Sequence, residues 1–226
     1  MKKIIFSAMA LALGSISFGQ QVNQGMVFGE QDLATESKST NSINNKALGQ
    51  VIWTNDFNSP TDSAAWTYGN SGQASPLGWT IDAVNDGWWS AGGITSTSGG
   101  NYAELYNGPS AAAIQGVTYT LTTANPIDLI ALGNAQTPAV DGANSTLEFE
   151  QYGARFNDLM EIQVSTDGIT FTTVGDNLDF DVLSATGGSA FANPHLKRIN
   201  LSTALTAATA TSVWIRFSWT SNFPTN

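Results

Sequence analysis

The sequence predicts an all-β fold, a sandwich of antiparallel sheets, on three observations. Apolar residues recur with period two in three stretches. Leu147 and Phe149 alternate with Glu148 and Glu150; Met160, Ile162 and Val164 alternate with Glu161, Gln163 and Ser165; Val213, Ile215, Phe217 and Trp219 alternate with Trp214, Arg216 and Ser218. Such alternation buries one face of a strand and wets the other. The 22 Gly and 7 Pro suit many short strands joined by turns. No helical periodicity of useful length follows the N-terminus, so the strand–helix–strand alternation of a parallel sheet is missing.

Taken in order, the chain opens with Lys2 and Lys3, an apolar run at residues 4–13, and the small residues Ser17 and Gly19. This is the pattern of a signal peptide over 1–19, cleaved before Gln20; the apolar run is too short to span a bilayer. Residues 20–50 are rich in Gln, Asn, Ser, Thr and Lys and read as a linker or loosely docked arm. The domain spans 51–226. Its first strand is expected at 51–53, with Asn55-Asp56-Phe57 closing it. A helical turn is expected at 62–66 with Asp62 as N-cap. Short strands follow at 78–81, from Trp88-Trp89 onward, and at 102–106, with weaker candidates at 117–123 and 127–132.

The stretch 145–174 organises the rest. Asp167-Gly168 supplies the positive φ angles of a two-residue type I′ turn. That turn would place Val164 opposite Phe171 and Ile162 opposite Thr173. Val174 then falls out of step, so a bulge or strand end is expected there. Residues 178–193 read as an irregular excursion, 195–201 as a returning strand, and 213–219 as the cleanest strand of all.

Composition bounds the partners. The whole chain carries a formal charge of −10, and removing Lys2 and Lys3 leaves six basic against 18 acidic residues, a net −12. Such a surface repels nucleic acid and anionic membranes and tolerates divalent cations. There are no cysteines, so an exported domain here stands on its core without disulfides.

The order of motifs resembles the jelly-roll sandwiches of the MAM type and their bacterial relatives, the cleaved-adhesin or choice-of-anchor modules. The resemblance rests on Asp56-Phe57, Gly78-Trp79, Gly99-Gly100-Asn101-Tyr102, the 147–174 stretch and the VWIRFSW strand at 213–219. The MAM cysteines are absent, which places the bacterial branch closer. The resemblance implies an extracellular binding or adhesion module, secreted or on the cell surface; a carbohydrate or a surface partner is its expected ligand. It also implies that the domain lacks its last strand: similar domains return with a Gly-Trp-x-Ile-Asp-Asp-Val segment, whereas 221–226 reads as a loop.

Catalytic chemistry has few candidates. His195 is the only histidine, no GxSxG elbow occurs, and a Ser-His-Asp triad has one place to go. Paired carboxylates are the stronger enzymatic alternative, that of a carbohydrate-active enzyme or its accessory domain. Glu148 and Glu150 lie two apart and share a strand face, and Asp179 and Asp181 repeat the spacing. The plainer reading makes Glu148 and Glu150 the wet face of a half-buried strand. Calcium is the expected ion because the available ligands are oxygens. Asp56 matches the opening-strand metal position that the resemblance implies, and Asp82, Asp86 and Asp158 are further donors in or near turns, where Asp also serves the turn itself. For a ligand platform the candidates are Trp88 and Trp89, flanked by Trp66, Tyr106 and Trp214, since an exposed ring stacks on a sugar. Asp62-Ser63-Ala64 resembles a short glycosylation motif of exported bacterial proteins.

Overall fold

The computed structural model describes residues 4–7, 50–70, 72–73, 77–85, 93–108, 116–156, 158–183 and 190–221. These are mostly β. The strands are β1 (Ile4–Ser7), β2 (Trp66–Gly69), β3 (Gly78–Asp82), β4 (Tyr102–Tyr106), β5 (Thr118–Thr123), β6 (Thr146–Gly153), β7 (Leu159–Ser165), β8 (Thr172–Asp176), β9 (His195–Asn200) and β10 (Trp214–Thr220). They form two antiparallel sheets. Sheet A has the order β3-β4-β1-β6-β9 and sheet B the order β2-β5-β10-β7-β8.

Period two explains which residues meet. Leu147 and Phe149 of β6, Ala103 and Leu105 of β4, and Trp79 of β3 are buried on one side of sheet A. Met160, Ile162 and Val164 of β7, Tyr119 and Leu121 of β5, and Ile215, Phe217 and Trp219 of β10 are buried on one side of sheet B. Both sets belong to one hydrophobic core. The sheets touch where Phe217 meets Phe149 edge-on, ring centroids 5.1 Å apart. Phe217 also lies 6.0 Å from Trp66, which in turn lies 5.7 Å from the fully buried Phe57. The stretch 145–174 therefore crosses the molecule: β6 lies in sheet A, and β7 and β8 lie in sheet B.

Asp158 fixes that crossing. It is buried, and its Oδ1 accepts the Phe156 N–H at 2.6 Å. Its Oδ2 accepts from the Trp219 indole at 2.9 Å and the Asn177 amide at 3.2 Å. A buried carboxylate held by several donors is a structural element, so this residue is not a surface oxygen donor for an ion.

Four expectations change. Residues 51–53 form no strand. Instead Asn55 Oδ1 accepts the Phe57 N–H at 3.2 Å and Asp56 Oδ1 accepts the Asn58 N–H at 3.0 Å. Two consecutive side chains thus take backbone donors that a ladder would need, and Phe57 sits at φ 64°. The helical turn is α1 (Pro60–Ala64), and its N-cap is Ser59, not Asp62. Ser59 Oγ accepts the Asp62 N–H at 3.0 Å and donates to Asp62 Oδ2 at 2.7 Å. Part of 127–132 is helical, as α2 (Leu129–Asn134). Asp128 caps it through the Ala131 N–H at 2.8 Å, and Leu129 and Gly133, four apart, are its buried residues.

The β7–β8 turn is also longer than two residues. Ser165 Oγ accepts the Asp167 and Gly168 N–H groups, at 3.3 and 2.9 Å. Asp167 Oδ1 accepts those of Ile169 and Thr170, at 2.8 and 2.7 Å. This side-chain scaffold supports a six-residue loop, so Val164 pairs with Thr172 rather than Phe171. The bulge at Val174 is present: Gln163 pairs with Thr173 and Ile162 with Gly175, skipping it. Ile4–Ser7, inside the segment read as a signal peptide, lies between β4 and β6 and pairs antiparallel with both. The short strand read from Trp88-Trp89 onward begins outside the described residues.

Replacing Phe217 by Ala removes the ring that joins the two sheets. The expected loss is about 3–5 kcal/mol, read as a lower urea midpoint with an unchanged denaturant slope.

Candidate functional site

The outward-directed residues of sheet B align in rows because directly paired residues share a face; of these, Thr122 and Ser218 are covered by their neighbours, at 9% and 5% exposed. The register gives one row as Thr67, Thr122, Arg216, Gln163 and Thr173. The next is Gly69, Thr120, Ser218, Glu161 and Asp176. The pair Thr118–Thr220 continues the pattern, with hydroxyls 2.8 Å apart. Successive rows lie about 6.6–6.8 Å apart along the strands and neighbouring strands about 4.8 Å apart.

Side-chain bonds hold this surface in place. The Arg216 guanidinium carbon lies 3.3 Å from the centre of the Phe171 ring, and its Nε donates to Thr122 Oγ1 at 3.0 Å. The cation is thus stacked and oriented, and burial lowers its pKa from the ordinary arginine value. Thr173 Oγ1 donates to Glu161 Oε1 at 2.8 Å, and Gln163 Nε2 lies 3.3 Å from Glu161 Oε2. Gly168 packs against the half-buried Trp214, where an added Cβ would come within 3.3 Å of the indole. Hydroxyls, an amide, a carboxylate, a guanidinium and an indole edge therefore share one surface. It offers both donors and acceptors, a requirement for binding polyhydroxylated molecules.

Of the residues singled out from the sequence, Trp214 alone belongs to this surface. Tyr106 is half-buried at the end of β4, in sheet A, so it forms no platform with Trp214. Trp66 is 4% exposed and belongs to the core. Trp88, Trp89 and Asp86 lie outside the described residues. Asp56 and Asp82 each accept a backbone N–H two residues on, from Asn58 at 3.0 Å and Val84 at 2.8 Å. That is the turn-stabilising role of Asp, and for Asp56 the Asn58 N–H holds the carboxyl below its ordinary pKa. Among the described residues no group of three or more His, Cys, Asp or Glu is arranged to hold a metal ion. Ser63 of the Asp-Ser-Ala motif donates its hydroxyl to the Phe57 carbonyl at 3.1 Å.

The carboxylate pair is also engaged. Glu148 Oε2 accepts from Arg198 Nε at 2.6 Å. Glu150, 5% exposed, accepts the Thr97 N–H on one oxygen at 2.8 Å and the Thr97 hydroxyl on the other at 2.9 Å. Asp179 accepts from Lys197 Nζ at 2.7 Å on both oxygens. These contacts tie loops and strands to the outer face and edge of sheet A.

Sequence reasoning missed Arg216, Thr122 and Gln163 as a group. The available signal was Thr118-x-Thr120-x-Thr122, three hydroxyls on one strand face. Comparison with known protein families, curated proteins and solved structures finds no match.

His195 stands edge-on to Phe180 at 4.9 Å, with Phe191 at 6.2 Å. Burial, then Lys197, lowers its pKa, while Asp179 opposes this. A lowered histidine pKa means that the folded state binds its proton later than the unfolded state. Its contribution is complete above the unfolded value of about 6.5 and declines as pH falls through that value toward the folded one. The melting temperature is expected to drop between pH 7.5 and 5.5, and to drop less in His195→Gln, as read by paired thermal scans.

Proposed function

We propose that this chain is an exported, non-catalytic binding module that takes a glycan on the outer face of sheet B. In this reading the two sheets are a jelly-roll sandwich of the MAM-like, cleaved-adhesin kind, and residues 1–19 are a signal peptide. The observation that carries the reading is the row Thr67–Thr122–Arg216–Gln163–Thr173. A sugar presents hydroxyls that both donate and accept, and this row supplies both in a fixed array. Trp214 adds an apolar edge at the end of the same strand. The acidic charge directs the module toward neutral or basic partners rather than nucleic acid or anionic membrane. An extracellular protein is the other partner class that such a surface takes.

The test is a screen of the mature chain, residues 20–226, against glycans and extracellular matrix proteins. Arg216→Ala and Trp214→Ala are expected to weaken glycan binding about 2–10-fold each, the size of one lost stacking contact, with unchanged circular dichroism. Equal binding by both variants removes the proposed surface.

The enzymatic alternative rests on Glu148 and Glu150. A glycosidase needs two carboxyl groups facing the sugar across about 5–9.5 Å, and both of these hold protein partners. Turnover of any glycan, abolished by Glu148→Gln or Glu150→Gln in folded protein, would favour the enzyme.

Structural calcium is a separate proposal and rests on Asp56. An ion bound only by the folded chain raises stability by mass action. Under this proposal millimolar calcium raises the melting temperature over that in EDTA, and Asp56→Ala abolishes the difference. Equal melting in both solutions removes calcium from the account.

A further inference from the structure

On the outer face of sheet B, Arg216 and Glu161 carry opposite charges and do not meet. β10 lies between β5 and β7 in this sheet. Arg216 pairs with Gln163 and Ser218 pairs with Glu161, so Arg216 and Glu161 are diagonal neighbours on adjacent strands. Such neighbours are about 7–8 Å apart, within reach of long side chains. Yet the ion pairs among the described residues are Lys197–Asp179 and Arg198–Glu148, both made by β9 of sheet A. Arg216 is also the one cation on the described strands of sheet B.

Each charge is engaged on the side away from the other. Arg216 Nε donates to Thr122 Oγ1, on β5, at 3.0 Å, and Phe171 of the β7–β8 loop stacks on the guanidinium carbon at 3.3 Å. Thr173, on β8, donates to Glu161 Oε1 at 2.8 Å, and Gln163 Nε2 lies 3.3 Å from Glu161 Oε2. Thr122 and Thr173 thus flank the pair from the strands outside β10 and β7. The capacity left over is complementary. A guanidinium donates from Nε and from both Nη groups; here Nε is taken, and among the described residues no acceptor meets either Nη. A carboxylate accepts about four hydrogen bonds, and Glu161 receives two. Both residues are half-buried, which strengthens a hydrogen bond relative to one in open water.

A vicinal diol fits this gap. One hydroxyl accepts from an Arg216 Nη and its neighbour donates to a Glu161 oxygen; a neutral pair of adjacent hydroxyls does both at once. A carboxylated sugar would satisfy Arg216 but would set a further negative charge against Glu161 and against Asp176, which stands directly opposite Glu161 in the ladder. We propose that Arg216 and Glu161 together select neutral glycans with a free vicinal diol, as on the interior sugars of 1,4-linked chains, over 1,3-linked chains, whose interior sugars have none. The proposal rests on the glycan reading of this face and names the group that the face recognises. Trp214, two residues before Arg216 and on the same side of β10, offers its apolar edge to the adjoining sugar.

The experiment is calorimetric titration of residues 20–226, and of the Glu161→Gln variant, with β-1,4-xylan, O-methylated β-1,4-xylan, β-1,3-glucan and polygalacturonate. The interior sugars of xylan carry the diol as their only hydroxyls, and methylation keeps those oxygens while removing their protons. Unmodified xylan is expected to bind about tenfold more tightly than each of the other three, the size of one hydrogen bond to a charged group. Glu161→Gln is expected to weaken xylan binding about 3–10-fold, because a neutral amide oxygen accepts less strongly than a carboxylate, with unchanged circular dichroism and an unchanged affinity for β-1,3-glucan. Equal binding of xylan and β-1,3-glucan overturns the diol selection and leaves the glycan reading standing. So does undiminished binding of methylated xylan, or undiminished xylan binding by Glu161→Gln. Polygalacturonate binding more tightly than xylan would put a carboxylate on Arg216 and overturn the proposal too. Absence of xylan binding also overturns it; another glycan bound on the same face would then keep the broader reading, and no bound glycan at all would remove both.

Discussion

Phe217 is the contact on which the rest depends. It lies on the central strand of sheet B, meets Phe149 of sheet A edge-on at 5.1 Å, and lies 6.0 Å from Trp66. Through Trp66 the buried Phe57 is tied to the same cluster. The ladders of β10 with β5 and β7 set the register that places Arg216 and Trp214 on the opposite face. The hydrophobic joint between sheets and the polar rows on the outer surface are opposite faces of one alternating strand.

Much of this was legible from alternation alone. β4 begins and ends where the pattern of 102–106 places it, and β7, β9 and β10 fall within one residue of the expected spans. These strands have unbroken period two and clear flanking turns, so pattern and tertiary structure agree. The failures have one cause in common. At Asn55 and Asp56, at Ser59, at Asp128, and at Ser165 and Asp167, short polar side chains capture backbone N–H groups. Each capture moves an element boundary by a few residues. Periodicity weighs apolar residues and is blind to that local competition.

The candidate surface was less legible for the same reason. Placing Phe171 opposite Val164 assigned it to the core side, whereas the longer loop frees it to cover Arg216. Thr122, Gln163 and Thr173 come from three strands, and only the register of the folded sheet brings them into one row. The carboxylates show the converse. Glu148 and Glu150 share a face as their spacing requires, yet Arg198 and Thr97 come from distant strands and loops to occupy them. Spacing identifies which side chains point the same way; it does not identify what will meet them.

The most direct test of the binding account is amide-resonance mapping of residues 20–226 with soluble α-glucan, β-glucan, xylo- and chito-oligosaccharides. The account predicts shift changes grouped on the outward residues of β5, β7 and β10, around Thr122, Gln163, Trp214 and Arg216, with the sugars recovered intact. No shift at saturating sugar would contradict it. Shifts gathered around Glu148 and Glu150, or hydrolysis of the sugars, would contradict it equally.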